Sequence, residues 1–64
     1  MTDHQIVEAM IQFGGSFVAA LGKAWQMADR FNQARIKEAF SEYWNDYREL
    51  AEMRAKHAER TTEA

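Results

Sequence analysis

Aromatic and arginine side chains are the residues of this sequence best suited to binding chemistry. Aromatic rings stack on nucleobases and tolerate a wet edge, and the arginine fork matches the oxygens of a phosphate. The same combination forms the hot spots of protein interfaces, and aromatic residues three and four apart most often belong to a helical core. All three roles stay open here. The candidate residues for binding a partner or a ligand, which stand with Trp25, are Arg30, Arg35, Tyr43, Trp44, Tyr47 and Arg48.

Catalytic and metal-binding arrangements are not indicated by the sequence. Neither Ser16 nor Ser41 has a histidine and a carboxylate at a spacing that suggests a nucleophile with its base. His4 and Glu8 lie one helical turn apart, but two ligands near a terminus make a weak metal site. Cysteine is absent, which excludes disulfides and thiolate metal sites. We therefore expect a protein that is not an enzyme, without a cofactor or a metal.

The charge balance and the apolar runs limit the classes of partner. Ten acidic and eight basic residues give a formal charge of -2, so no broad positive field attracts nucleic acid. The longest uncharged run, Ala9 to Gly22, is shorter than the ~18 residues that suggest a membrane span. Asp3 and Glu8 occupy the region where a secretory signal is basic. These features predict a soluble, cytoplasmic protein that binds neither a membrane nor, by default, nucleic acid.

The elements that position the candidate residues are predicted to be helices. Thr2 and Gln5 form a capping-box pattern, which predicts a helix from Asp3 that continues to Arg30. Gly14 and Gly15 lie in the middle of this predicted helix and indicate close helix packing, a kink or a ligand contact. Asn32 is predicted to cap a short connecting helix over residues 33–40. Ser41 is then predicted to cap a final helix that ends at about residue 60, with a disordered tail at 61–64.

Two rows of apolar or small residues run side by side along the first predicted helix, at alternating spacings of three and four. Together they cover roughly 160° of the helix circumference, more than the usual stripe of a surface helix. The first row is Val7, Ile11, Gly14, Val18, Leu21, Trp25 and Ala28, and the second row is Ile6, Met10, Phe13, Phe17, Ala20, Ala24, Met27 and Phe31.

A self-associating fold follows from the width of this apolar surface. A helix over residues 3–30 is roughly 42 Å long, whereas the final helix reaches only ~27 Å, so one antiparallel partner cannot cover both rows. A single domain of 64 residues also lies below the roughly 70 to 80 residues at which a lone core is comfortably stable. We expect a single domain over residues 1–60, an all-α hairpin of one long and one shorter helix with a short connecting helix, assembled into a homo-oligomeric bundle. The predicted oligomer interface is Ile6, Met10, Phe13, Gly14, Phe17, Val18, Leu21 and Trp25.

A recognisable pattern runs from Phe17 to Leu50, about half the chain, and is strongest in Ala-Phe-Ser-Glu-Tyr-Trp at 39–44, followed by Tyr47. This stretch resembles a group of small conserved α-helical proteins encoded by tailed phages and prophages. Relatives often carry proline where this chain has Ser41. Serine preserves the helix start, because it caps a helix whose first turn proline would occupy.

Phage context implies action on the host. Small phage proteins made outside the structural and replication modules often inhibit host defence or sequester nucleotide immune signals, and both tasks require only binding. The resemblance thus favours a non-enzymatic, anti-CRISPR-like inhibitor of a host protein that works in the host cytoplasm. Two alternatives stay open: an oligomeric sponge for a nucleotide signal, and a structural or assembly protein of the virion.

Overall fold

Four α-helices follow one another along the chain. The computed structural model describes the backbone of residues 1–63 and the side chains of residues 1–56. Within the described backbone every regular element is a helix, which confirms the predicted all-α class. The helices are α1 (Asp3–Phe13), α2 (Ser16–Met27), α3 (Arg30–Ala39) and α4 (Ser41–Glu63).

The prediction of one continuous helix from Asp3 to Arg30 is wrong, and so is the hairpin of one long and one short helix built on it. The chain leaves the helix at Gly14 and Gly15, whose ψ angles of 158° and -176° are extended. Neither glycine has a positive φ, so the break does not depend on left-handed backbone. It lets α2 turn back along α1, which a rod of the same sequence cannot do.

Close packing of α1 and α2 is achieved at Gly22 rather than at Gly15. A methyl group at Gly22 would lie 2.8 Å from Cγ1 of Ile11 and 3.3 Å from the carbonyl oxygen of Val7. Gly15 has no neighbour within 4 Å of such a group. Gly15 and Gly22 therefore have different surroundings, because Gly15 lies in the break before α2, whereas Gly22 lies within α2 on the face that packs against α1.

The start of α1 follows the predicted capping, whereas the start of α3 does not. Thr2 Oγ1 accepts a hydrogen bond from the Gln5 backbone at 3.3 Å, and Thr2 N–H donates to Gln5 Oε1 at 2.9 Å, which confirms the capping box. The predicted cap at Asn32 is wrong. Asp29 caps α3 instead, by accepting from the Asn32 backbone at 2.8 Å, and a carboxylate there also suits the positive end of the helix dipole.

The final helix starts at Ser41 itself, one residue earlier than a cap at that position implies. Its 23 residues make it about twice as long as any of the other three helices. The prediction ended it at about residue 60. The side chains of the predicted tail, 61–64, lie outside the described residues, and disorder there stays a prediction.

A compact apolar core lies where α1, α2 and α4 meet. Its fully buried side chains, each less than 2% exposed, are Ile6, Val7, Met10 and Trp44. Val18 and Trp25 complete it from α2, and the rings of Trp25 and Trp44 lie 6.4 Å apart. Lys37 of α3 bonds to Asp3 of α1 at 3.1 Å and ties the connecting helix to the start of the chain.

The two apolar rows differ in how much of each is buried in this fold. Every residue of the first row is buried or half-buried, because α1 and α2 cover each other along it. The second row is buried only on α1. From Phe13 onwards each of its members is exposed to solvent: Phe13, Phe17, Ala20, Ala24, Met27 and Phe31.

Candidate functional site: an apolar groove between α1 and α4

The sequence-predicted interface divides into core residues and surface residues. Ile6, Met10, Val18 and Trp25 lie in the core of the single chain and have no surface left for a second copy, which corrects their assignment to an oligomer interface. They are buried because the helix break lets α2 fold onto α1. Gly14 and Leu21 are half-buried, whereas Phe13 is 40% and Phe17 57% exposed.

The predicted binding cluster of aromatic and arginine residues is also divided by the fold. Trp44 is 1% exposed, so its assignment to a binding surface is wrong: the indole fills the core and presents no face to a ligand. Tyr43, Tyr47 and Arg48 flank it on α4 and are half-buried. Arg30 and Arg35 are exposed on α3.

An aromatic cluster joins the start of α2 to the α3–α4 junction. The ring of Phe17 lies 5.9 Å from Phe40 and 6.1 Å from Tyr43, and Phe40 stacks on Tyr43 at 6.1 Å. The small concavity at this junction is lined by the carboxylates of Glu42 and Asp46. Negative charge beside the rings opposes the approach of a phosphate, because like charges repel most strongly where water is displaced.

A larger concavity lies elsewhere, between α1 and the middle of α4. It is an open groove of about 870 Å³, within the range of binding sites in proteins. Ala9 and Phe13 of α1 and Leu50, Ala51 and Met53 of α4 give it an apolar lining. Met53 is 67% exposed, so the groove presents a large thioether side chain directly to solvent.

Charged residues of opposite sign line the groove beside its apolar side chains. Glu8 contributes a carboxylate from α1, while Arg54 and Lys56 contribute cations from α4. The guanidinium carbon of Arg54 lies 4.2 Å from the centre of the Phe13 ring, a cation–π contact that fixes both side chains at one end of the groove. This arrangement suits a partner that is apolar along its centre and carries both signs of charge at its edges.

The groove was missed by sequence reasoning, although the sequence carries a signal for it. Leu50 and Met53 are spaced three apart in a half of α4 that is otherwise dominated by charge. That spacing places two apolar side chains on one helix face and indicates a contact. Assigning the contact to α1 requires the turn at Gly14 and Gly15, which the sequence left as one of three options.

No group of three or more metal-ligating side chains comes together among the described residues. Within the same part of the chain, no helix combines the length and apolar character needed to cross a membrane.

Comparisons with known proteins identify no relative: no protein-family model, curated protein or solved structure matches this chain at a significant level.

Proposed function

We propose that this chain is a non-enzymatic, self-associating interaction module of phage type, which binds and obstructs a host protein, as an anti-defence inhibitor does. The observation that carries the proposal is the α1–α4 groove. Its exposed apolar lining is costly to leave in water, and monomeric proteins that keep such surfaces generally use them for binding.

The partner that fits this groove best is an amphipathic helix of the host protein. Binding of this kind places the apolar face of one helix into a groove between two others, with anchors at helical spacing. Ala9 is small and lets a partner backbone approach, whereas Phe13 and Met53 supply the large contacts. Glu8 on one helix and Arg54 and Lys56 on the other select a helix with basic and acidic edges, and thereby contribute specificity more than affinity.

A matched pair of substitutions on α4 tests the proposal. Met53→Glu places a carboxylate in the groove, while Asn45→Glu adds the same charge at an exposed position outside it. Both positions are exposed, so neither change should alter the fold. The tagged wild type and both variants are used to capture proteins from lysates of candidate bacterial hosts, followed by quantitative mass spectrometry.

The expected result is a host protein recovered equally with wild type and Asn45→Glu and at least tenfold less with Met53→Glu, as the removal of one interface anchor implies. Plaquing on a host that carries the corresponding defence should fall with Met53→Glu alone. If no host protein distinguishes Met53→Glu from Asn45→Glu, the groove is not the binding site and the proposal fails.

A further inference from the structure

The outward face of α2 is apolar and, apart from the contacts of Phe17 with Phe40 and Tyr43, it is exposed among the described residues. The buried residues of α2, which face the core, are Val18, Gly22 and Trp25. The opposite face of the helix carries Phe17, Ala20, Ala24 and Met27, all of them exposed, and the next exposed large apolar side chain along the chain is Phe31, in the first turn of α3. We call these five residues the α2 stripe. Lys23 is the single charged residue of α2, and it lies beside the stripe rather than within it.

The exposed area of the α2 stripe is close to what a small dimer interface requires. Met27 is 88%, Phe31 81% and Phe17 57% exposed, and side chains of this size bury roughly 200 Å² each when covered. These three therefore offer on the order of 450 Å² per copy, and about 900 Å² for two copies, before the alanines and the rim contribute. A specific interface needs roughly 1,000 Å² in total, so the stripe matches a weak but specific dimer.

We infer that two copies of this chain pack α2 against α2 through the α2 stripe, which deepens the self-association of the proposed function and rests on it. Ala20 and Ala24 are one turn apart and form a low ridge at the centre, where two helix backbones can approach closely. Phe17 lies on one side of this ridge and Met27 on the other, and Phe31 follows at the start of α3. Because the stripe is uncharged, packing it against the same stripe of a second copy buries no unpaired charge.

Sedimentation equilibrium of the full chain tests this inference with a matched pair of variants. Met27→Glu puts a charge into the stripe, whereas Gln26→Glu puts the same charge one residue away, at an exposed position outside it. Wild type and Gln26→Glu should dimerise with the same dissociation constant, in the micromolar range expected of a small interface, and Met27→Glu should weaken it at least tenfold. A monomeric wild type at several hundred micromolar, or equal weakening by both variants, overturns the inference.

Cysteine cross-linking locates the contact independently of affinity. Because the chain has no cysteine, Ala24→Cys and Gln26→Cys each introduce a single thiol. A disulfide forms where the Cα atoms approach to within about 7 Å, so mild oxidation should link Ala24→Cys into a covalent dimer and leave Gln26→Cys monomeric. Linking of Gln26→Cys alone would overturn the α2–α2 contact. Failure of this dimer removes self-association through α2 from the proposed function but leaves the Met53→Glu result, and with it binding through the groove, unaffected, so the two tests are distinguishable.

Discussion

Replacing each of the two adjacent glycines between α1 and α2 with serine should change stability in opposite directions. A side chain at Gly14 would run into the carbonyl oxygen of Met10 and lie 2.7 Å from Cγ1 of Val18. A side chain at Gly15 meets nothing within 4 Å, and Gly15 is the N-cap of α2, where no side chain provides a capping hydrogen bond. The same substitution should therefore destabilise the protein by overpacking at Gly14 and stabilise it at Gly15.

The size of the Gly14→Ser effect follows from the cost of overpacking. Forcing extra atoms into a packed site costs typically 1 to 3 kcal/mol, and the upper half of that range applies because a backbone oxygen cannot rotate away. A domain of this length has roughly 3 to 10 kcal/mol of stability in total. Since 1 kcal/mol shifts the melting temperature by roughly 4 to 8 °C in a small domain, Gly14→Ser should lower it by about 10 °C or more.

Gly15→Ser should stabilise the protein. Its φ of -69° and ψ of -176° are open to any residue, and serine is among the favoured N-cap residues. Replacing glycine where the backbone permits it also removes conformational freedom from the unfolded chain, a gain of about 0.4 to 1 kcal/mol. Thermal and urea unfolding followed by circular dichroism should show a higher melting temperature by roughly 2 to 8 °C.

A continuous first helix would give a different pattern and would refute this reasoning. In that case serine would improve helix propensity at both positions by a few tenths of a kcal/mol, and both variants would be slightly stabilised. Stabilisation by Gly14→Ser, or equal effects of the two substitutions, would show that the break between α1 and α2 is misplaced.

Three other predictions concern the core, a helix cap and the nucleotide alternative. Trp44→Ala should cost about 3 to 5 kcal/mol and largely unfold the chain, whereas Trp44→Phe should cost less than about half as much, because the buried indole N–H has no acceptor to lose among the described residues. Asp29→Ala should lower the unfolding free energy by about 1 kcal/mol through loss of the hydrogen bond from the Asn32 backbone, while Asn32→Ala should not reproduce that loss. Cyclic dinucleotides and ADP-ribose derivatives should leave the melting temperature of the full chain unchanged; stabilisation by several degrees would instead support the sponge alternative.

Local capping and apolar periodicity carried most of the fold prediction. The capping box at Thr2 and the start of α4 at Ser41 depend on residues within one helical turn, and for that reason they could be recognised in the sequence. The break at Gly14 could not be decided locally. Two glycines are tolerated inside a helix at a modest cost, and only the packing of Val18 and Gly22 against α1 makes the turn the better arrangement.

The candidate site was less predictable than the fold, because exposure depends on which apolar row the chain covers by itself. Periodicity identified both apolar rows in the sequence, but it did not show which of them the fold would bury. Trp44 illustrates the same limit: its spacing suits a core and a binding surface equally, and only the positions of α1 and α2 decide that it is buried. The α1–α4 groove joins residues about 40 positions apart, such as Phe13 and Met53, a distance over which periodicity carries no information.

Hydrogen exchange of the full chain, alone and with its captured host protein, tests the central claim that this protein acts by binding through the α1–α4 groove. Amide protection on binding should rise in residues 5–13 of α1 and in residues 50–56 of α4, and α3 should exchange at an unchanged rate. Protection confined to α3 and the α3–α4 junction, with α1 and residues 50–56 unaffected, would contradict the account.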